Sequence, residues 1–462
     1  MTIPRLKLAG LWLLALLWSG GALAEQRFPP PEFETNYRMP GITLLPPRAL
    51  WLEYLDVAVL ATTLALATWL ALKQRSRKAI FGLSLFSLFY FGFYRQGCVC
   101  AIGAPQNVTY ALFNPGYTVP LVVLAFFLLP LVFALFAGRS FCAAACPHGA
   151  LQDLVLIRPV KVPSWLEHAL GLLPYVYLGA GVLLAATGSA FVICRYDPFV
   201  PLFRLSGSRT MLLAGGAFLV LGMFVGRPYC RFLCPYGGLL KLASLFSKWR
   251  VRVTPDVCTQ CRLCESSCPF GALREPSSGA ADPPTLAADR KRLAWQLLLL
   301  PAVIAGVGWI GCGLSGAAAK LHPRVALVER YLAQQKHPVV YAPQSPEALE
   351  LKRAGDSLKE LLPEATAARR QFVLAGWLLG GWVGLVVGAK LISLSLRRRR
   401  PDYEPDRGAC FSCGRCFEYC PNELVRRGLM PAAALPELGG AGAAAAAPGL
   451  GSPALSGSTP RT

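Results

Sequence analysis

Residues 258–269 read Cys258-Thr-Gln-Cys261-Arg-Leu-Cys264-Glu-Ser-Ser-Cys268-Pro269, and the same C-x2-C-x2-C-x3-C-P spacing returns at residues 410–421. Three cysteines packed this closely bring three thiolates to the corners of one [4Fe–4S] cube. Structural zinc sites instead use two C-x2-C pairs separated by a long gap. The two runs therefore predict two [4Fe–4S] clusters, which carry single electrons.

The last cysteine of each run is predicted to serve the cluster of the other run, as in ferredoxins that hold two clusters. The predicted ligands are, for cluster I, Cys258, Cys261, Cys264 and Cys420, and for cluster II, Cys410, Cys413, Cys416 and Cys268. This shared ligation requires both runs to lie on the same side of any membrane that the chain crosses.

Outside these runs the chain is strongly apolar: 54% of its 462 residues are hydrophobic and 15% are charged. Several apolar stretches approach the ~20 residues that a membrane-spanning helix needs. These features exclude an ordinary soluble enzyme. They predict an all-α polytopic membrane protein with a ferredoxin-like module for two [4Fe–4S] clusters. The seven predicted spans are residues 50–72, 79–94, 118–137, 169–193, 210–226, 293–313 and 372–394.

The N-terminus and the positive charges predict the orientation of these spans. A basic start, an apolar stretch and Ala22-Leu23-Ala24 are typical of a signal peptide over residues 1–24, or of an uncleaved signal anchor. With residue 25 outside, the inner segments carry 27 Lys and Arg against 16 in the outer ones. Both cysteine runs are then predicted at the cytoplasmic face of a bacterial inner membrane. The net charge of +21 needs no nucleic-acid partner to explain it.

Spans and motifs together divide the chain into predicted segments. They are a signal peptide (1–24), a short periplasmic segment (25–49), a membrane domain (50–226), a cytoplasmic loop with the first run (227–292), two spans (293–394) flanking a periplasmic segment (314–371), the second run (395–427) and a disordered tail (428–462). Within the periplasmic segment, residues 346–370 have the composition of an amphipathic helix.

Four further cysteines belong to an internal repeat. Gly138-Arg139-Ser-Phe-Cys142-x3-Cys146-Pro147-His-Gly149 recurs as Gly226-Arg227-Pro-Tyr-Cys230-x3-Cys234-Pro235-Tyr-Gly237. Each copy follows an apolar span and begins a cytoplasmic segment, so the repeat predicts a four-thiolate site at the inner membrane boundary. The functional alternatives are a further cluster, a mononuclear iron or a thiol–disulfide couple. The simpler interpretation is that buried cysteines act as small apolar residues.

The remaining cysteines are predicted at the outer face, and they are Cys98, Cys100, Cys194 and Cys312. They would hold an outer redox centre or form disulfides, and Cys312, near a helix end, is equally consistent with packing. His148 follows Cys146-Pro147 directly and is a candidate for binding a quinone or tuning a metal. A histidine hydrogen-bonded at the membrane boundary is the simpler interpretation. The sequence has no P-loop or G-x-G-x-x-G turn, so nothing in it indicates a nucleotide.

The order of these motifs resembles that of the NosR/NapH/CcoG-type membrane polyferredoxins. The resemblance covers about residues 79–425, and Gly97-Cys98-Val99-Cys100 is most similar to the NosR-type branch. It implies electron transfer between the quinol pool or cytoplasmic donors and a periplasmic reductase. Respiration of the nitrous-oxide-reductase type is the first expectation.

One feature of the NosR-type branch is not matched in this sequence. Those proteins carry a large outer flavin-binding domain, whereas residues 25–49 are too few to fold one. The resemblance then implies a separate periplasmic flavoprotein or direct delivery of electrons to the reductase. The alternative function is a redox factor for the maturation or regulation of a respiratory metalloenzyme. We expect an electron carrier or quinol dehydrogenase subunit rather than a stand-alone enzyme.

Overall fold

The structure, a computed structural model, describes residues 48–97, 101–254, 258–277, 283–336, 358–396, 400 and 402–432. The predicted signal peptide, the outer pair Cys98 and Cys100, and the predicted tail beyond residue 432 lie outside these ranges. The described chain from Leu50 onward forms one compact unit.

Helices make up most of the described secondary structure. The α-helices are α1 Leu50–Trp69, α2 Arg77–Ser87, α3 Ala104–Phe113, α4 Leu121–Ala137, α5 Pro147–Val155, α6 Ser164–Leu170, α7 Leu173–Ala186, α8 Val192–Arg195, α9 Val200–Arg204, α10 Arg209–Gly222, α11 Pro228–Phe232, α12 Pro235–Leu245, α13 Leu263–Ser267, α14 Pro283–Gly313, α15 Ser315–Ala319, α16 Pro323–Lys336, α17 Leu358–Ser395, α18 Arg415–Glu418 and α19 Pro421–Arg426. Helical turns of the π type lie at Leu70–Gln74, Leu88–Tyr94 and Phe141–Ala145. The described strands are β1 Leu273–Arg274 and β2 Glu404–Pro405.

The predicted membrane spans fall largely on helical backbone, and the span 169–193 is interrupted between α7 and α8. Those long and apolar enough to cross a membrane are Leu50–Gln74, Ser164–Ala186, Ala288–Gly313 and Leu358–Ser395. Helices α4 and α10 are apolar but shorter, and the predicted span 79–94 consists of α2 and the π turn that follows it. The total of seven crossings stays a prediction.

Two long helices begin earlier than the sequence predicted. Helix α14 starts at Pro283 instead of residue 293, and α17 starts at Leu358 instead of residue 372. The predicted starts followed the apolar runs alone, whereas the added turns are rich in Ala, Arg, Lys and Glu, which favour helix. The added part of α17 includes residues 358–370 of the predicted amphipathic helix and packs on α16. The rest of that predicted helix lies outside the described residues.

A row of glycines brings α14 and α17 into close contact. Gly376, Gly380, Gly384 and Gly388 recur every four residues and are buried on one face of α17. A Cβ built on Gly380 would lie less than 3.0 Å from backbone atoms of Val307 and Gly308. Small residues at this spacing allow membrane helices to pack backbone against backbone. Helix α17 also binds α7, because Trp382 Nε1 donates to the Tyr175 carbonyl at 2.8 Å.

The two cysteine runs come together on one side of this helical body. Strands β1 and β2 pair antiparallel, with Leu273 opposite Pro405 and Arg274 opposite Glu404. The turn between α1 and α2 holds both runs: Arg75 donates to the Val253 carbonyl and pairs with Glu423. Arg77 donates to the Cys413 carbonyl. The arginines of the basic segment 73–78 therefore contact the chain around both cysteine runs.

Candidate functional site

The two cysteine runs adopt the same backbone path. Left-handed residues occupy equivalent positions: Gln260 and Arg262 in the first run, and Ser412 and Gly414 in the second, with φ between 52° and 79°. The N–H of Gln260 points at Cys258 Sγ at 3.4 Å, and the N–H of Ser412 points at Cys410 Sγ at the same distance. Reversals of this kind turn the chain around a central point and aim both thiols and N–H groups inward.

One cavity is lined by the four cysteines predicted for cluster I. Cys258, Cys261 and Cys264 come from the first run, and Cys420 comes from the second. Tyr403 and Val253 close its apolar side, and the space free of protein atoms is about 280 Å³. Cys420 reaches the cavity because it precedes Pro421, the first residue of α19.

A second cavity is lined by the four cysteines predicted for cluster II. Cys410, Cys413 and Cys416 come from the second run, and Cys268 comes from the first. Phe270 and Phe411 form part of its wall, and the space free of protein atoms is about 360 Å³. Each cavity is a cradle of four thiols, which is the donor set that a [4Fe–4S] cluster requires.

Burial makes these thiols hard to ionise by themselves. Burial, together with the charges of neighbouring cysteines, raises the pKa of Cys264 and of Cys410 to about 12. Burial also raises the pKa of Cys416 well above its usual value. Without a positive partner these thiols stay protonated at neutral pH, whereas bound iron displaces the protons and holds the thiolates.

Over the described ranges, no three His, Cys, Asp or Glu side chains converge as they would around a single metal ion. The described cysteines form no disulfide.

The four cysteines of the repeat are all buried, and they belong to one hydrophobic cluster. In each copy the first cysteine lies within a short helix: Cys142 in the π turn, and Cys230 in α11. The second cysteine, Cys146 or Cys234, immediately precedes the proline that starts the next helix. Each of these prolines occupies the first position of its helix, α5 or α12.

Polar groups point at all four of these sulfurs, and for Cys146 the donor is the Gly149 N–H. Gln152 Nε2 lies 3.1 Å from Cys230 Sγ, and the Gly237 N–H donates to Cys234 Sγ at 3.2 Å. An Arg139 nitrogen lies 3.7 Å from Cys142 Sγ. Burial raises the pKa of Cys230 to about 12 and that of Cys234 well above its usual value, and the hydrogen bonds from Gln152 and Gly237 oppose this rise. This environment differs from that of cysteines that only fill apolar space.

The repeat folds as a reciprocal pair, in which each copy holds the arginine of the other. Arg227, from the second copy, donates to the Cys142 carbonyl of the first. A Cβ on Gly149 would lie 3.2 Å from Arg227, and a Cβ on Gly237 would lie 3.3 Å from Arg139. The final glycine of each motif therefore leaves room for a guanidinium.

Asp153 balances the charge of Arg227. Both side chains are buried, and they make two hydrogen bonds, of 3.0 and 2.8 Å. Burial alone would raise the pKa of Asp153, but the Arg227 charge and hydrogen bonds, helped by Arg77, lower it to about 2. The carboxylate thus stays ionised throughout the physiological range.

Two aromatic rings connect the second cavity to the cysteines of the repeat. Phe270 and Phe411 pack with centroids 4.8 Å apart. The Arg139 guanidinium lies 4.1 Å from the Phe411 ring centre, and that of Arg227 lies 5.6 Å from the Phe270 centre. These rings share a buried cluster with the repeat cysteines and with Cys413. The two groups of thiols are therefore neighbours across a thin layer of arginine and phenylalanine.

His148 forms a buried pair with Asp197. Its Nε2 lies 3.1 Å from both carboxylate oxygens. Asp197 also accepts from the backbone N–H groups of Phe199 and Val200. His148 and Cys146 line one small apolar cavity with Phe91 and Phe141. The hydrogen bond to Asp197 agrees with the interpretation of His148 as a hydrogen-bonded histidine. A role of His148 in binding a quinone or tuning a metal stays a prediction.

The outer cysteines are only partly described. Cys194 lies on α8, whose N–H groups are held by the Gln106 side chain, and Cys312 lies on α14. Within the described chain these two share no disulfide and no buried cluster. Cys98 and Cys100 lie outside the described residues, so the predicted outer site stays a prediction.

Comparisons with known proteins agree with these thiol sites. The 4Fe-4S binding domain family matches residues 119–164 and 210–254, which contain the two repeat copies. A second 4Fe-4S binding domain family matches residues 251–274, which contain the first ferredoxin run.

Similar proteins occur in both bacteria and archaea. An uncharacterized protein of Methanocaldococcus jannaschii is 30% identical over 39% of this chain and 77% of its own length. The regulatory protein NosR of Pseudomonas aeruginosa is 30% identical over 44% of this chain and 30% of its own length. The putative electron transport protein YccM of Escherichia coli is 28% identical over 30% of this chain and 43% of its own length. The chain belongs to the NosR-like family of membrane 4Fe–4S ferredoxin-type proteins.

Membership in the NosR-like family confirms the resemblance seen in the order of the cysteine motifs. The chain spans less than half the length of NosR and of YccM, so the family defines the iron–sulfur core rather than a complete activity. No solved structure is significantly similar to the chain.

Several residues of this core were not identified from the sequence. Gln152, Asp153 and Asp197 contact the motifs only through the fold, and nothing in their spacing singled them out. Arg139 and Arg227 are equivalent residues of the two repeat copies, but the sequence alone did not indicate what either arginine does. If the repeat is continued past its final glycine, Asp153 of the first copy aligns with Lys241 of the second, and this difference in charge is the signal that marks Asp153.

Proposed function

We propose that this protein carries electrons at the bacterial inner membrane through two [4Fe–4S] clusters and a third redox centre held by the repeat. The supporting observation is the arrangement of thiols: two cradles that share ligands crosswise, and a buried four-cysteine group beside the second cradle. In this proposal Cys258, Cys261, Cys264 and Cys420 hold cluster I, and Cys410, Cys413, Cys416 and Cys268 hold cluster II.

Bound iron–sulfur clusters supply reversible one-electron storage. The chain provides the order of the sites. The cavity proposed for cluster I is lined by Tyr403, Val253 and the first run, and the cavity proposed for cluster II is lined by Phe270 and Phe411. The repeat cysteines follow beyond that layer. Because an electron cannot cross ~30 Å of hydrocarbon in one step, a centre at the boundary shortens the remaining distance.

The partners are proposed from the family. The quinol pool or a cytoplasmic donor exchanges electrons with the cytoplasmic clusters, and a periplasmic reductase or flavoprotein lies at the other end. The similarity to NosR favours respiration of the nitrous-oxide-reductase type.

A second function is a redox factor that matures or regulates a respiratory metalloenzyme. It is favoured by the name "Regulatory protein" of two NosR relatives. Purified protein that oxidises a quinol continuously, with cluster reduction followed by EPR, supports the electron carrier. A partner enzyme that loses its metal when this gene is deleted, without such quinol oxidation, supports the maturation factor.

The third centre is tested by counting iron and labile sulfide per chain, with low-temperature EPR, on full-length protein purified without oxygen. Two clusters alone give about eight iron atoms. We expect more than eight, with the excess lost in Cys142→Ser/Cys230→Ser and the two cluster signals retained. The matched control is Cys98→Ser/Cys100→Ser, which reports separately on the outer cysteines. Eight iron atoms in every variant would contradict a metal centre in the repeat.

A further inference from the structure

Arg139 is a buried cation without a buried anion. Its side chain is 4% exposed, and its nitrogens donate to the Gly408 carbonyl and approach Cys142 Sγ. In the described part of the chain, no carboxylate forms a salt bridge with it. The nearby Asp406 is otherwise occupied, since it accepts from two backbone N–H groups and pairs with Arg274. A buried charge normally has a partner of opposite sign.

A comparison of the two repeat copies shows that the second copy lacks a carboxylate equivalent to Asp153. Asp153, the partner of Arg227, stands seven residues after Cys146. The position seven residues after Cys234 is Lys241. In the second copy, the position equivalent to Asp153 therefore carries a positive charge, that of Lys241, instead of a carboxylate that could pair with Arg139. Burial lowers the pKa of Lys241 to about 8, and the charges of Lys390 and Arg139 act in the same direction.

We propose that Arg139 is the counter-charge of a thiolate-ligated redox centre formed by Cys142, Cys146, Cys230 and Cys234. This inference rests on the third centre of the proposed function and adds its charge state. The missing anion is the thiolate set, which carries negative charge when it holds a metal or cluster. With neutral thiols or a disulfide in the repeat, the thiolates around Cys410 in the second ferredoxin run would be the remaining negative charge that Arg139 acts on.

The charge has a definite effect on the redox centre. Reduction adds one electron and therefore one negative charge to the thiolate-bound group. A cation beside Cys142 stabilises the reduced form more than the oxidised form, and so it raises the midpoint potential. Arg139 is thus a positioning and tuning residue, and Phe411 fixes its guanidinium plane between Cys142 and the second ferredoxin run.

The inference is tested by potentiometric EPR titration of the full-length protein with Arg139→Gln. We expect the centre that depends on Cys142 and Cys230 to titrate about 59 mV more negative, which is a tenfold change in its one-electron equilibrium. Arg139→Lys keeps the charge and should recover most of the shift. The control Arg95→Gln removes another largely buried arginine, which pairs with Asp56 at the far end of the helix formed by α2 and its π turn. It should leave the potential unchanged.

Each outcome decides one question. If wild-type protein shows no signal that depends on Cys142 and Cys230, the proposed third centre fails before Arg139 is tested. If that signal exists and Arg139→Gln leaves its potential unchanged, the counter-charge inference is overturned. If Arg139→Gln loses the centre, Arg139→Lys decides: recovery supports the charge, and equal loss overturns it in favour of a purely steric role.

Discussion

Cys268 and Cys420 occupy equivalent positions in the two runs, and each lines the cavity formed mainly by the other run. Each ends a run and precedes a proline, and each turns away from its own three cysteines to line the cavity of the other run. The backbone reversals at Gln260, Arg262, Ser412 and Gly414 place the first three thiols of each run around one point. The fourth thiol then lies on the far side of the turn, where only the partner cavity is within reach.

This exchange predicts paired effects of single substitutions. Cys268→Ser should weaken or remove the cluster held by Cys410, Cys413 and Cys416, although residue 268 lies in the other run. Cys420→Ser should do the same to the cluster held by the first run. EPR of the reduced protein, with Cys413→Ser and Cys261→Ser as references, shows which signal each variant lacks. Loss of the signal of its own run in Cys268→Ser would contradict the crosswise assignment.

The ferredoxin spacing is local, so the motif alone indicated which cysteines belong to each run. The two cavities are lined by the cysteine sets that were predicted as ligands, and their binding of clusters stays a prediction. Gln152, Asp153 and Phe270 act on residues far away in the chain, and no local pattern encodes such contacts. The resemblance of motif order was confirmed by the family match, whereas the outer cysteine site stays a prediction.

At the scale of elements, helices α14 and α17 connect the first cysteine run to the second and bring the second run back beside the first. Its contact surface consists mainly of glycine backbone, and a Cβ on Gly384 would lie 2.9 Å from the Ile304 Cα. Apolar content predicted these helices, but it gave no account of their length or their pairing. The helix starts were missed because polar helix formers extend both elements beyond the apolar core.

Gly380→Leu should separate these two helices. The added side chain enters space already filled by Val307 and Gly308, and overpacking of this kind costs about 1–3 kcal/mol. The matched control is Gly306→Leu, where a Cβ meets nothing within 4 Å. We expect Gly380→Leu to lower the midpoint of thermal unfolding in detergent and Gly306→Leu to leave it near the wild-type value. Equal midpoints for both variants would show that the glycine row does not hold the pair.

Across the whole molecule, three separate parts of the chain meet at the cluster module. The turn at residues 73–78, the repeat and the two cysteine runs are joined by Arg75, Arg77 and Arg139. They must therefore occupy the same side of the membrane. The excess of Lys and Arg in these segments predicts that this side is the cytoplasm.

Reporter fusions to the full chain test this orientation. Green fluorescent protein after Thr462 should fluoresce, because it folds in the cytoplasm. Alkaline phosphatase inserted after Gln344, in the predicted outer segment, should be active, because it requires the oxidising periplasm. The exchanged fusions serve as controls and should both be silent. The opposite pattern would invert the predicted topology.

The shared ligands also set an order of events during synthesis. Neither cradle is complete until the second run has been translated, because cluster II needs Cys416 and cluster I needs Cys420, and this run follows the last two long helices in the chain. A protein truncated within α17, or one in which α14 and α17 fail to insert, retains the whole first run yet cannot complete either cluster. Under the proposed function, iron–sulfur loading therefore acts as a quality check: only a chain translated as far as Cys420, with both runs on the same side of the bilayer, acquires both clusters.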